Sequence, residues 1–227
     1  MRKIINKIIT NIKGSSYQID PSIPTAYLLQ LVFIRIIMAI RGYLLGLSKK
    51  GIVFIAGHTT IKCKSKIHIG KGCTIDKDCY IDALSHEGII LGNNVSIGKH
   101  TNIECSGTIT NIGKGLKVGD NVGMGTHGFW GCAGGIEIGD DTIIGNYVSL
   151  HSENHNYQLI DTPIREQGVN RKGIKIGKNC WIGAKATILD GTQIGNGCVV
   201  AAGAVVTGIF PDNVVIGGIP AKIIKNR

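Results

Sequence analysis

Two histidines four residues apart, His151 and His155 in the stretch LHSENHNYQ, sit where an otherwise periodic chain of 227 residues loses its period. Imidazole titrates near neutral pH, so a histidine held beside a reacting group can take a proton from a weak nucleophile such as an alcohol. The thiols suggest no comparable chemistry. Seven cysteines, an odd number without a CxxC pair or a metal-type spacing, read as reduced thiols in a cytosolic chain. The formal charge of +10, from 25 Lys and Arg against 15 Asp and Glu, favours anionic partners. An aromatic content of 5% and the lack of a reader motif argue against nucleic acid.

The elements that must position these histidines are short and repeated. IGKGCT from Ile69, LGNNVS from Leu91, IGKGLK from Ile112, VGDNVG from Val118, IGKNCW from Ile176 and IGNGCV from Ile194 are members of one hexapeptide series. An aliphatic residue every six, with Cys, Val, Thr, Leu or Ala four later, gives each short strand one large and one small inward side chain. Cys73, Cys79, Cys180 and Cys198 occupy the small place as compact hydrophobes. The fourth place holds Gly72, Asp78, Asn94, Gly115, Asn121, Asp141, Asn179 or Gly197, residues that tolerate a left-handed backbone at a corner. The third place carries Lys71, Lys77, Lys99, Lys114 and Lys178, which predicts a solvated edge. Three such sides make a triangular prism of parallel strands, with about 18 residues to a coil.

Residues 1–50 do not follow the period. The basic opening MRKIINKIITNIKGSS interleaves its isoleucines with Lys and Asn, without the continuous apolar core of an export signal. DPSIP then starts a helix over TAYLLQLVFIRIIMAIRGYLLGLSKK, whose apolar runs are broken by Gln30, Arg35 and Arg41 and are too short for the roughly 20 apolar residues of a membrane span. Two roles fit this segment: a cap on the open end of the solenoid, or a helix lying on an anionic membrane through residues 24–50. The expected organisation is an N-terminal helical segment (1–50), a β-helix (51–215) and a C-terminal tail (216–227).

Leu150 falls six after Ile144, but the next repeat begins at Ile176, about 20 residues late. Residues 156–173 are polar, contain Pro163 and glycines, and should leave the prism as a loop. Smaller interruptions are expected near 84–89 and 128–137, the second beside His127, Phe129 and Trp130.

The hexapeptides, His155 in ENHNY before the loop, Trp181 in NCWIGAKA and the tail GGIPAKIIKNR together resemble the hexapeptide-repeat acyltransferases. The sequence is similar to the maltose and galactoside O-acetyltransferases and to sugar O-acetyltransferases of polysaccharide clusters. That resemblance implies an all-β, left-handed parallel β-helix assembled as a homotrimer, with sites between adjacent prisms. It implies acetyl-CoA as co-substrate, His155 as catalytic base, and donor contacts at Trp181, Gly183, Ala184, Ala202, Thr207, Lys222 and Lys225. The acceptor would be a sugar, or a lipid-linked saccharide if the N-terminal segment touches a membrane. The enzyme would be cytoplasmic, at most peripheral at the inner face of the membrane, and would need no metal.

One departure is the stretch GMGTHGFWG from Gly123, where those relatives carry an Asn that orients the sugar, so acceptor contacts do not transfer. His151 is expected in packing or substrate contact. His127 with Phe129 and Trp130 either lines an acceptor pocket or fills a bulge. N-acetyl transfer to an amino sugar uses the same base and donor groove. A zinc carbonic anhydrase on this solenoid would need His127, His151 and His155 to converge on one metal. A third alternative is a scaffold without catalysis.

Overall fold

The computed structural model describes residues 2–13 and 18–227. From Phe54 onward the chain is a left-handed parallel β-helix, its short strands stacked into three sheets. Among the described residues the first face holds nine strands, from Phe54–Ile55 to Ala221–Asn226; the second and third hold seven each. Registers are strict. Trp181 pairs with Val199 one coil on, 18 residues later, whereas Ile143 pairs with Trp181 across 38, so the 20 extra residues are a single excursion.

Each strand turns its alternate side chains inward, and the resulting core is a stack of aliphatic rungs: Ile75, Ile97, Met124, Ile144, Ile182 and Val200 under the first face are all 3% exposed or less. Trp130 belongs to the matching stack under the second face and is buried. It therefore packs the core; the aromatic pair beside His127 is divided, with Phe129 outward. The small-position cysteines are buried, and burial pushes the Cys73 thiol up to about 11, leaving it protonated and inert. Corners at Asp78, Asn94, Asn121, Asp141 and Asn179 take φ between 53° and 59°, the left-handed conformation their side chains tolerate.

One expectation differs. The hexapeptide from Ile112 forms no rung: Leu116 and Val118 enter the core instead, while residues just before them bulge out, bridged by Gly113 to Ser85. Ile112 is left half-buried because nine extra residues fall in this coil, Ile97 pairing with Met124 across 27 residues rather than 18. The smaller interruption near 128–137 is present: Phe129–Gly131 and Ile136–Ile138 are regular strands, but Val118 pairs with Ile138 across 20 residues rather than 18, so two extra residues fall between them. The inward residue before it is the bulky Trp130; a Cβ on Gly128 would lie 2.5 Å from its Nε1.

Helix α1 spans Arg2–Lys13 and helix α2 spans Thr25–Leu44. The second packs on the first strand of the solenoid, with Leu28, Met38 and Gly42 buried. Contact is close, since a Cβ on Gly42 would meet the Val53 carbonyl oxygen at 2.2 Å. Leu47, just beyond, joins the core.

Candidate active site

The excursion leaves the second face after the strand Ser149–His151 and returns at Ile174–Ile176 on the third. It is an ordered antiparallel ribbon, not an open loop: Asn154 pairs with Asn170 and His155 with Val169. Polar side chains fold it locally. Asn156 donates Nδ2 to the Gln167 carbonyl at 3.0 Å, and Gln167 donates Nε2 to the carbonyls of Leu159 (2.8 Å) and Thr162 (2.7 Å) while accepting the Leu159 N–H. Strand pairing fixes the His155 backbone and leaves its side chain exposed.

The foot of the ribbon is clamped by charge. Arg171 Nε donates to Glu153 Oε2 at 2.6 Å, and its terminal nitrogens reach Asn111 Oδ1, the Asn111 carbonyl and the Ile112 carbonyl at 3.0–3.1 Å. Asp190, 6% exposed, accepts the N–H groups of Lys172 and Gly173 where the chain re-enters the prism. Buried Ser152 donates to the Gly131 carbonyl at 2.7 Å and accepts the Gly134 N–H at 2.9 Å.

Beside this foot the second face carries a recess of about 170 Å³ lined by Glu104, Gly107, Phe129, Gly131, Ala133, His151, Ser152 and Glu153. Strand register explains it. Glu104, Gly131 and His151 are successive outward residues of one column, and the glycine leaves a gap between a carboxylate and an imidazole. Phe129 walls the gap, its ring centroid 5.4 Å from that of His151. Burial lowers the His151 pKa, so its ring is held neutral there. The volume is below the roughly 300 Å³ of a whole small-molecule site, which suits it to one ring or group of a larger ligand. Sequence reading missed Glu104 and Glu153. The coils that separate Glu104, Gly131 and His151 span 27 and 20 residues, so no fixed period puts the three in one line.

His155 follows Glu153, a wall of the recess, by two residues, so its Cα lies within about 7 Å of that wall. The expected donor residues stand elsewhere. Trp181 projects from the first face, 57% exposed, in an outward column with Ile143 and Val199. Ala184 and Ala202 are exposed on consecutive coils at the corner that follows, joined by the Gly203 N–H to the Ala184 carbonyl at 2.9 Å. Gly183 has a structural reason to be glycine: a Cβ would meet Ala202 N at 2.5 Å. Lys222 and Lys225 are exposed on the last strand, which folds back antiparallel along Val214–Gly218. Thr207 lies after the second face, on the same edge of the prism as the excursion. One protomer thus carries His155 and Thr207 on one edge, and Trp181, Gly183, Ala184, Ala202, Lys222 and Lys225 on another face and corner.

Two further arrangements bear on the chemistry. A depression of about 590 Å³ runs over the third face between Lys117, Glu137, Lys175 and Lys178, and none of the sequence-predicted site residues lines it. His127 stacks between His100 and Tyr147 in a corner ladder, each pair of centroids 4.7 Å apart. It does not join His151 and His155, and among the described residues no three His, Cys, Asp or Glu groups gather as metal ligands. The three imidazoles that a zinc site would need are therefore not convergent.

Comparison with known proteins agrees with this fold. The family profile described as "Bacterial transferase hexapeptide (six repeats)" matches residues 173–208, and "Hexapeptide repeat of succinyl-transferase" matches 66–99. WbbJ of Escherichia coli K12, whose name assigns it to lipopolysaccharide biosynthesis as an O-acetyl transferase, is 33% identical over 172 residues, 73% of this chain and 74% of WbbJ. The galactoside O-acetyltransferase of the same organism is 35% identical over 91 residues, 40% of this chain and 43% of that enzyme. Against most curated relatives it matches, the chain aligns with about a third to a half of their length. Among solved structures, a variant of the Bacillus cereus N-acyltransferase AntD, in complex with dTDP-4-amino-4,6-dideoxyglucose and coenzyme A, superposes with a TM-score of 0.56 at 20% identity, covering 82% of this chain and 89% of that one. That likeness is one of fold. With three stacked parallel faces, the hexapeptide profiles and the extended match to WbbJ, this chain belongs to the hexapeptide-repeat acyltransferase family.

Proposed function

We propose that this protein is an acetyl-CoA-dependent O-acetyltransferase acting on a sugar hydroxyl, in the building of a surface polysaccharide such as a capsule, an O-antigen or an exopolysaccharide. The observation that carries this reading is the exposed His155, held on a paired ribbon next to a recess that offers a carboxylate, a neutral imidazole and an aromatic wall. A sugar presents hydroxyl donors and an apolar ring face, and Glu104 and Phe129 answer those two features. Family membership and the similarity to WbbJ support the transfer chemistry and the pathway.

In the proposed reaction the His155 ring nitrogen accepts the hydroxyl proton as the acceptor oxygen bonds to the thioester carbonyl carbon. Backbone N–H groups of a neighbouring coil stabilise the oxyanion, because donors already aimed at developing charge need no reorganisation. The carbon–sulfur bond then breaks, the sulfur takes the proton back from the imidazolium, and free coenzyme A leaves. No acyl-enzyme forms. Trp181 walls the thioester end, the exposed edge at Ala184 and Ala202 receives the pantetheine arm, and Lys222 and Lys225 meet phosphates. Those residues and His155 stand on different edges of one prism, so the working site is built where prisms pack side by side in a homotrimer. With a donor made inside the cell, the protein is cytoplasmic.

Incubation of the purified protein with acetyl-CoA and a panel of sugars, nucleotide sugars and lipid-linked saccharides, read by mass spectrometry, tests the proposal. A mass gain of one acetyl group that survives mild base, which cleaves an ester and spares an amide, would assign N-transfer instead, and no gain on any acceptor while coenzyme A leaves the melting temperature unchanged would sink the reading.

A further inference from the structure

Helix α2 is turned inside out for a water-facing element. Over its 20 residues, about 30 Å, Leu29, Phe33, Ile36, Ile37, Ile40 and Leu44 are all exposed, Phe33 by 65% and Leu44 by 76%. A surface helix normally turns such side chains to the core and its charges to water. Here the two charged side chains are spent on the solenoid: Arg35 donates Nη1 to Thr74 Oγ1 at 2.8 Å and lies over the Phe54 ring, 5.1 Å from its centroid, and Arg41 Nη2 reaches the Thr59 carbonyl at 3.4 Å. The outward surface left behind is long and apolar, of a kind that soluble monomers rarely show unless something covers it.

Charge identifies the cover. The first 50 residues hold eight Lys and Arg against one acidic residue, Asp20, so a net +7 of the chain's +10 lies in under a quarter of its length. Lys49 and Lys50 are exposed immediately beyond α2, and α1 exposes Lys3, Lys7 and Ile4. The sequence of α1 spaces isoleucines at 4, 5, 8, 9 and 12, the period of one helical stripe. Two copies meeting through this segment would bring two such positive ends together, whereas anionic headgroups neutralise them. We propose that α2, with α1 beside it in sequence, lays the protein on an anionic bilayer with its exposed apolar side chains inserted at the headgroup boundary. By length and composition α2 is also able to cross a membrane. Crossing would strip Leu28, Met38 and Gly42 from the solenoid and break both arginine contacts, so the helix lies in the plane and stays docked.

This inference is independent of the acetyl-transfer reading, because its test measures no turnover. The full-length protein is sedimented with vesicles of phosphatidylglycerol and phosphatidylcholine, or of phosphatidylcholine alone. Binding to the anionic vesicles is expected, weaker on neutral ones and reduced by salt as the Debye length shortens. Phe33→Glu with Ile40→Glu should cut partitioning at least about tenfold at an unchanged melting temperature, and Lys49→Glu with Lys50→Glu, outside the helix, should weaken only the anionic-vesicle binding. Equal partitioning of wild type and both variants overturns the proposal. So does retention of the protein in vesicles after an alkaline carbonate wash, which marks a spanning helix, or a fall in solution mass of the Phe33 variant, which marks a second copy as the occupant.

Discussion

Arg171 holds Glu153 at 2.6 Å while its remaining nitrogens grip Asn111 and Ile112, so one guanidinium ties the foot of the histidine ribbon to the bulge that precedes the third face. Both partners are about a fifth to a quarter exposed. Hydrogen bonds to charged groups in such positions contribute about 1.5–3 kcal/mol. Arg171→Met should therefore lower stability by that order and lower kcat, with the KM for donor little changed, because the ribbon that carries His155 loses its anchor. A double-mutant cycle with Glu153→Gln measures the coupling; additive effects would separate the two residues.

His155→Ala should reduce turnover by about 10²- to 10⁴-fold with the fold and donor affinity intact. Circular dichroism and coenzyme A titration supply the controls. A variant with full rate would remove His155 from the role of base.

Acid should act on His151. Burial lowers its pKa below the ordinary 6.5, so between that lowered value and 6.5 the unfolded chain binds a proton that the folded chain does not. The stability associated with the neutral ring is complete above 6.5 and is lost as pH falls through the window. Thermal unfolding of wild type and His151→Gln, compared about one pH unit above 6.5 and at progressively lower pH, should show the smaller acid-induced loss in the variant.

Gly42→Val should loosen α2 from the solenoid, because the position of its Cβ is already occupied by the Val53 carbonyl. Overpacking of this kind costs about 1–3 kcal/mol. Limited proteolysis between residues 44 and 54 should speed up, while the core coils keep their resistance.

The two tryptophans report different places: Trp130 is 1% exposed and Trp181 is 57% exposed. Coenzyme A should change only the emission of Trp181, and Trp181→Phe should abolish that change. A signal that persists in the variant would move the donor away from the first face.

The sequence by itself determined the coil. A rung needs only an inward aliphatic, a small partner and a corner residue that accepts a left-handed backbone, all local requirements written within six residues, and Ile69, Cys73 and Gly72 display them together. The same locality marked the break at His155, while it misled at Ile112, where nine extra residues lengthen the coil. What only the tertiary structure decided depends on residues that are distant in the chain but adjacent in the stack. Glu104, Gly131 and His151 make a recess because coils of unequal length bring them into one register, and no local pattern encodes that alignment. Arg35 and Arg41 face the solenoid, leaving α2 apolar outside, because the prism end offers them Thr74 and Thr59, 39 and 18 residues away. Periodicity is a short-range property and survives in one dimension; a site is a coincidence of surfaces, and it exists only once the coils are wound.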